Sequence, residues 1–176
     1  MSTIFFFINF LLPIFQKYYS FISEEKERVQ MEYISHLHSD ENLKTLLQQT
    51  RERDKIIGFT TKGIHRDDIE MQLNSYSLKR TGSQGQIKTY LIALKLAQFE
   101  LLKKVNQKTP LLLLDDIFAK LDANRVKQII KLVSSDAFGQ IFITDTNREH
   151  VDEMLKSINQ EYKLFSVKNG EIIEVL

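Results

Sequence analysis

LLLLDD, residues 111–116, is the stretch whose reading decides the fold. Four consecutive leucines show neither the alternation of a half-exposed strand nor the spacing of an amphipathic helix. Preceded by Pro110 and ended abruptly by two acids, they predict a short central parallel strand covered on both faces. Such strands belong to α/β sheets, and residues just beyond their C-terminal ends line the crevice where ligands bind. Asp115 and Asp116 are therefore candidate site residues. A rigid strand end carrying paired carboxylates suits a hard cation held through oxygen, with Asp115 as the Mg²⁺ ligand and Asp116 as the group that polarises an attacking water. The same pattern also fits two acids that cap the next helix or face solvent.

Upstream, RTGSQGQIKT (residues 80–89) places Ser83 before a long apolar-striped run, which predicts a helix from about residue 83 to 105. Ile87, Tyr90, Leu91, Leu94, Ala97 and Leu101 form one stripe, and Ile92, Leu96 and Phe99 form a second. A helix apolar on two sides is buried. Ser83, Gly85 and Gln86 stand at its start, where unpaired N–H groups and the positive end of the helix dipole favour an anion such as a γ-phosphate. The plainer reading is a serine cap with two turn glycines.

Downstream, Leu121, Asp122 and Arg125 lead into a helix over about 123–134. Then come a strand QIFIT (140–144), a helix over about 148–158, and two strands, EYKLFSV and EIIEV, joined through Asn169 and Gly170. Asn-Gly predicts a tight hairpin turn. Before residue 80, IIGFTT, IEMQLN and SLKR predict antiparallel β-structure with a turn at Asn74 and Ser75. Residues before about 54 read as helical, including a segment capped near Ser39. The expected organisation is a helical arm over 1–54 and an α/β body over 55–176.

Composition sets limits. The 176 residues carry 24 Lys and Arg against 23 Asp and Glu, so a nucleic-acid contact has to be local. With no cysteine, thiolate metal sites and disulfide scaffolds are excluded, and a cytoplasmic location is expected. His36 and His38 lack companion ligands at metal-binding spacing. IFFFINFLLPIF, residues 4–15, falls short of the about 20 apolar residues of a membrane span, and predicts a packed helix rather than a membrane partner.

The order SQGQ, helix, LLLLDD, then LD with Arg125 resembles the signature motif, Walker B strand and D-loop of ABC-type ATPases. GIHRDDIEMQLN (63–74) and FITDTN (142–147) make the resemblance closest to the RecF family. The resemblance implies the C-terminal lobe of an ABC-type P-loop ATPase head with a helical arm at its N-terminus. It implies that Ser83, Gly85 and Gln86 contact ATP held by a partner subunit, that Asp115 binds Mg²⁺, that Asp116 replaces the catalytic Glu of transporter-like relatives, and that Asp122 lies at the dimer interface. Where many relatives carry a switch His, Asp145 and Thr146 stand instead, and Ile64 replaces the family's usual Pro. Lys62, Arg66, Lys79 and Arg80, with Lys88 nearby, concentrate positive charge that suits DNA phosphate or nucleotide phosphate, and that also fits a solvated β-surface.

The implied function is ATP-dependent binding of single-stranded or gapped duplex DNA in replication and recombinational repair, with recombination mediator proteins as partners and recombinase loading as the outcome. No Gly-x-x-x-x-Gly-Lys-[Ser/Thr] loop occurs among the six glycines, so the Walker A lobe is expected to be absent. ATPase activity is expected only of a complete head dimer, formed through ATP or with a complementing N-terminal lobe. The alternatives are a non-catalytic interaction module and a different SMC-like ATPase.

Overall fold

The computed structural model describes residues 3–38, 42–157 and 161–175. Helix α1 (Thr3–Ser23) is followed by β1 (Val29–Ile34), α2 (Leu43–Ile57), β2 (Asp68–Leu73), β3 (Tyr76–Ser77), the short α3 (Leu78–Thr81) and α4 (Gln84–Asn106). Next come β4 (Leu112–Leu114), α5 (Ala123–Val133), β5 (Ile141–Ile143), α6 (Arg148–Ser157), β6 (Phe165–Lys168) and β7 (Glu171–Val175).

The core is built on α1 lying against α4. Phe15 and Tyr19 of α1 and Tyr90, Ala93, Leu96 and Ala97 of α4 are completely buried. Their rings interlock, with Phe15 and Tyr90 centroids 4.5 Å apart and Tyr19 meeting Tyr90 edge-on at 5.9 Å. The apolar N-terminal stretch thus packs as a core helix, with Pro13 on its exposed side. Among the described residues no helix is long and apolar enough to cross a membrane.

The described strands form three small sheets. β1, β2 and β3 form an antiparallel sheet with Val29 opposite Leu73 and Tyr33 opposite Ile69. β4 and β5 run parallel, Leu112 beside Ile141 and Leu114 beside Ile143. β6 and β7 form the expected hairpin, turning at Asn169 and Gly170 with φ of 52° and 82°, the positive values a two-residue primed turn demands.

Several expectations need correction. The segment before residue 54 is not wholly helical. VQMEYI forms β1, buried at every second residue, because its alternating Val, Met and Tyr complete the sheet against β2. IIGFTT is not a strand either: Ile56 and Ile57 finish α2, and Gly58 closes it in the left-handed conformation (φ 79°) with its N–H on the Asp54 carbonyl at 2.9 Å. Asp54 Oδ1 then accepts from the Thr61 N–H and hydroxyl at 3.1 and 2.6 Å, which fixes the chain as a loop. In SLKR, Leu78 to Arg80 start α3 rather than extending β3. The cap expected near Ser39 lies outside the described residues, and Asn42 caps α2 through its side chain. Packing does not break at residue 54, since α1 and β1 share one core with α4, β2 and α5.

The central strand departs from expectation on one face. Leu112 and Leu114 are buried, while Leu111 and Leu113 are 61% and 69% exposed and Phe142 of β5 is 50% exposed. Two strands make too narrow a sheet to be covered on both sides within this chain.

Candidate functional site

Strand β4 delivers Asp115 and Asp116 to its C-terminal end, and two neighbours, Thr144 and Lys88, hold them there. The Thr144 hydroxyl, just past β5, donates to Asp115 Oδ1, and the Asp116 N–H donates to Thr144 Oγ at 2.9 Å. The Lys88 ammonium, from the second turn of α4, donates to the Asp116 carbonyl and lies 3.8 Å from its Oδ2. Asp116 itself has φ of 47°, a left-handed conformation costly for a residue with a side chain. Its backbone N–H and carbonyl are thus both tied by side chains while its carboxylate stays half exposed. Asp115 keeps one carboxylate oxygen beyond the Thr144 contact and is exposed. A hard oxygen donor at a strand end, with room for water and phosphate oxygens, fits Mg²⁺, which takes one or two protein carboxylates and fills the rest of its octahedron from elsewhere.

Ser83 caps α4 by a reciprocal box. Its hydroxyl accepts from the Gln86 N–H at 3.2 Å, and its own N–H donates to Gln86 Oε1 at 2.8 Å. The helix tip is not occluded, since Ser83 and Gln84 are exposed. A first helical turn leaves N–H groups without intrahelical acceptors, which is the chemistry of an anion site. Gly85 lies close to the loop ahead of Asp122: a Cβ there would lie 3.1 Å from the Lys120 carbonyl, a tight contact. Gln86 is less available than the sequence suggested. Its Oε1 serves the Ser83 N–H and its Nε2 donates to Glu27 at 2.7 Å, so its side chain shapes the tip from behind.

Asp122 caps α5, accepting the Arg125 N–H at 2.9 Å and the Arg125 Nε–H at 3.1 Å. The backbone bond from Arg125, with the charge of its guanidinium, holds the Asp122 carboxyl below its ordinary value. Arg125 reaches back to the Thr89 hydroxyl at 2.8 Å and to both Glu27 oxygens at 3.0 and 3.1 Å. Burial pushes the Glu27 carboxyl up, but hydrogen bonds from Gln86 and Tyr19 and the charge of Arg125 outweigh it, leaving it below the usual carboxylate range. Glu27, Thr89 and Thr144 were not singled out from sequence. Glu27 sits in a polar run, SEEKER, that reads as a solvated turn, and its partner Arg125 is 98 residues away.

Lys62 and Arg66 precede β2, and Lys79 and Arg80 lie in α3, after the chain has turned back along β2 through β3 with Ser77 opposite Gln72. Arg66 stacks over the Phe59 ring at 4.8 Å, and Lys88 is engaged by Asp116. Beyond β5, the Asp145 side chain is nearly buried with its Oδ1 3.6 Å from His150 Nδ1, so the group in the switch region is an acid beside a histidine. No three His, Asp or Glu side chains gather as a metal cluster among the described residues.

A parallel β4–β5 pair ending in acids, a capped helix tip beside the following loop, and a core helix beneath both define the C-terminal lobe of an ABC-type P-loop ATPase head. Solved structures agree: the chain superposes on RecF bound to ATP with a TM-score of 0.68 and 26% identity, covering 97% of this chain and 44% of that one. An SMC ATPase structure, at a TM-score of 0.51 and 16% identity, shares the fold. The particular match is DNA replication and repair protein RecF. The chain is 58% identical over 169 residues to that protein of Bacteroides thetaiotaomicron and 59% identical over 160 residues to that of Parabacteroides distasonis. Over 96% and 91% of its own length the chain thus resembles RecF proteins, and it spans 46% and 44% of the length of those two relatives. No protein-family model matches it.

Proposed function

We propose that this chain supplies half of a composite nucleotide site in a RecF-type, ATP-gated DNA-binding protein. The single observation that carries the reading is the coexistence of an exposed capped helix tip at Ser83–Gly85 and an acidic strand end at Asp115–Asp116, linked by the Lys88 bond to the Asp116 carbonyl. In such a head each protomer offers the helix tip to the triphosphate of its partner and the acids to its own. Mg²⁺ bound at Asp115 would screen phosphate charge. Asp116, held at its backbone by Lys88 and Thr144, aims a carboxylate at an incoming water, and Asp122 meets the partner at the dimer seam. Because the tip contacts γ-phosphate only across the dimer, ATP stabilises the closed state and ADP does not. Closure grips single-stranded or gapped duplex DNA, with Lys62, Arg66, Lys79 and Arg80 as phosphate contacts, and leads to recombinase loading with mediator proteins in the cytoplasm. The solved relatives named as a recombination mediator, with ATP or an ATP analogue, support the nucleotide part of this reading.

The test is a chimera in which the portion of the Bacteroides thetaiotaomicron protein not covered by this chain is joined to it. It is expected to hydrolyse ATP slowly. Asp116→Asn lowers turnover by about a hundredfold while ATP-dependent dimerisation persists, the magnitude expected when a water-positioning group is lost. Unchanged turnover removes Asp116 from its role. A chimera that neither binds nor hydrolyses ATP favours the second reading, a non-catalytic interaction module, which rests on the absence of a Gly-x-x-x-x-Gly-Lys-[Ser/Thr] loop from this sequence.

A further inference from the structure

A chain of polar contacts runs through the interior from the signature tip to the D-loop. The Ser83 N–H donates to Gln86, Gln86 donates to Glu27, Glu27 accepts from Arg125, and Arg125 donates to Asp122. A second route is parallel to it. The Arg125 Nη1–H donates to the Thr89 hydroxyl, which donates to the Gly85 carbonyl at 2.8 Å, and Thr89 is fully buried. At their crossing, the Glu27 and Arg125 side chains are only 13% and 15% exposed, and the Tyr19 hydroxyl from α1 donates to Glu27 Oε2 at 2.7 Å. The guanidinium reaches an acceptor from each of three separate elements, and the carboxylate takes two bonds on each oxygen. A surface ion pair of this length would hold little together, but a shielded, fully bonded one fixes geometry.

We propose that Glu27 and Arg125 are positioning residues that lock the Ser83–Gly85 tip and the Asp122 loop into one unit, so that phosphate recognition and docking of the dimer seam occur together. This rests on the composite-site reading above. Its physical basis is that neither tip can shift alone. Tilting the first turn of α4 pulls Gln86 and Thr89 off the hub, and moving Asp122 pulls Arg125 off it. The close approach of Gly85 to the Lys120 carbonyl adds a steric link between the same two segments. Glu27 lies in the turn between α1 and β1, so the segment joining helical arm to body sets the geometry of both contact surfaces.

The experiment measures the full 176-residue chain against the Bacteroides thetaiotaomicron RecF relative loaded with a slowly hydrolysed ATP analogue, together with backbone hydrogen exchange in the chain alone. Glu27→Gln removes the charge at nearly constant shape. Arg125→Lys keeps the charge but cannot span Thr89, Glu27 and Asp122 at once. Val133→Ala, a core truncation at the far end of α5, serves as the control for general destabilisation. Either hub variant is expected to speed exchange at residues 85–88 and at 124–126 together and to weaken nucleotide-dependent association about tenfold. The control does neither.

Faster exchange at one tip only, association within twofold of the parent for both hub variants, or equal weakening by Val133→Ala overturns the proposal. Should the parent chain show no nucleotide-dependent association, the composite-site reading fails by itself. The exchange measurement still decides whether the two tips are coupled.

Discussion

At the scale of single residues, the site is built from side chains that fix other side chains. Asp116 adopts a left-handed backbone that a glycine would take at no cost, and Lys88 and Thr144 hold it from both sides. Glu27, which the sequence did not single out, engages as many partners as Arg125, which it did. Its carboxyl is held below the usual range, so its ionised form stabilises the fold at neutral pH. That contribution is complete above the ordinary glutamate value and is lost as pH falls through the lower, folded-state value. Denaturant midpoints measured from pH 7 to pH 3 are therefore expected to fall less steeply in Glu27→Gln than in the parent. Equal slopes would mean that the Glu27 bonds contribute no differential stability. The placement of Asp115, Asp116, Ser83 and Asp122 at the ends of regular elements was legible in the sequence, because local pattern points at such ends. Glu27, Thr89 and Thr144 were not, because their roles come from partners 28 to 98 residues distant, and no short-range periodicity records that.

At the scale of elements, what was legible follows how local the signal is. α4 was readable from its apolar stripes and its serine cap, and α5 from Asp122 and the spacing of Val126, Ile129, Ile130 and Val133, all buried. Leu91, counted in a buried stripe, is instead 52% exposed, and Leu102 and Val105 share that uncovered side of α4. β1 was missed although its alternation is regular, since its partner β2 lies across α2 in the chain. The β4–β5 pair shows Leu111, Leu113 and Phe142 on an exposed face, and apolar exposure of that kind is what a missing neighbour covers. Leu113→Glu with Phe142→Glu is expected to leave the thermal midpoint of the isolated chain within a few degrees, because both side chains are already in water. The same double change abolishes nucleotide binding by the chimera. A large loss of midpoint in the isolated chain would show instead that this face packs within the chain.

At the scale of the whole molecule, a chain that resembles RecF over less than half of that protein's length carries a capped helix tip and an acidic strand end, which the proposed function makes its two contact surfaces. The β4–β5 face and the outward side of α4 leave Leu113, Phe142, Leu91 and Val105 exposed. The central claim is that the Ser83 tip recognises a triphosphate held by another protomer. Sedimentation of this chain with the Bacteroides thetaiotaomicron relative tests it most directly, in ATP analogue, in ADP and with Ser83→Arg. The account predicts a complex with the ATP analogue that is at least tenfold weaker in ADP and is lost with Ser83→Arg. Equal association in both nucleotides, or a complex indifferent to Ser83→Arg, would contradict it.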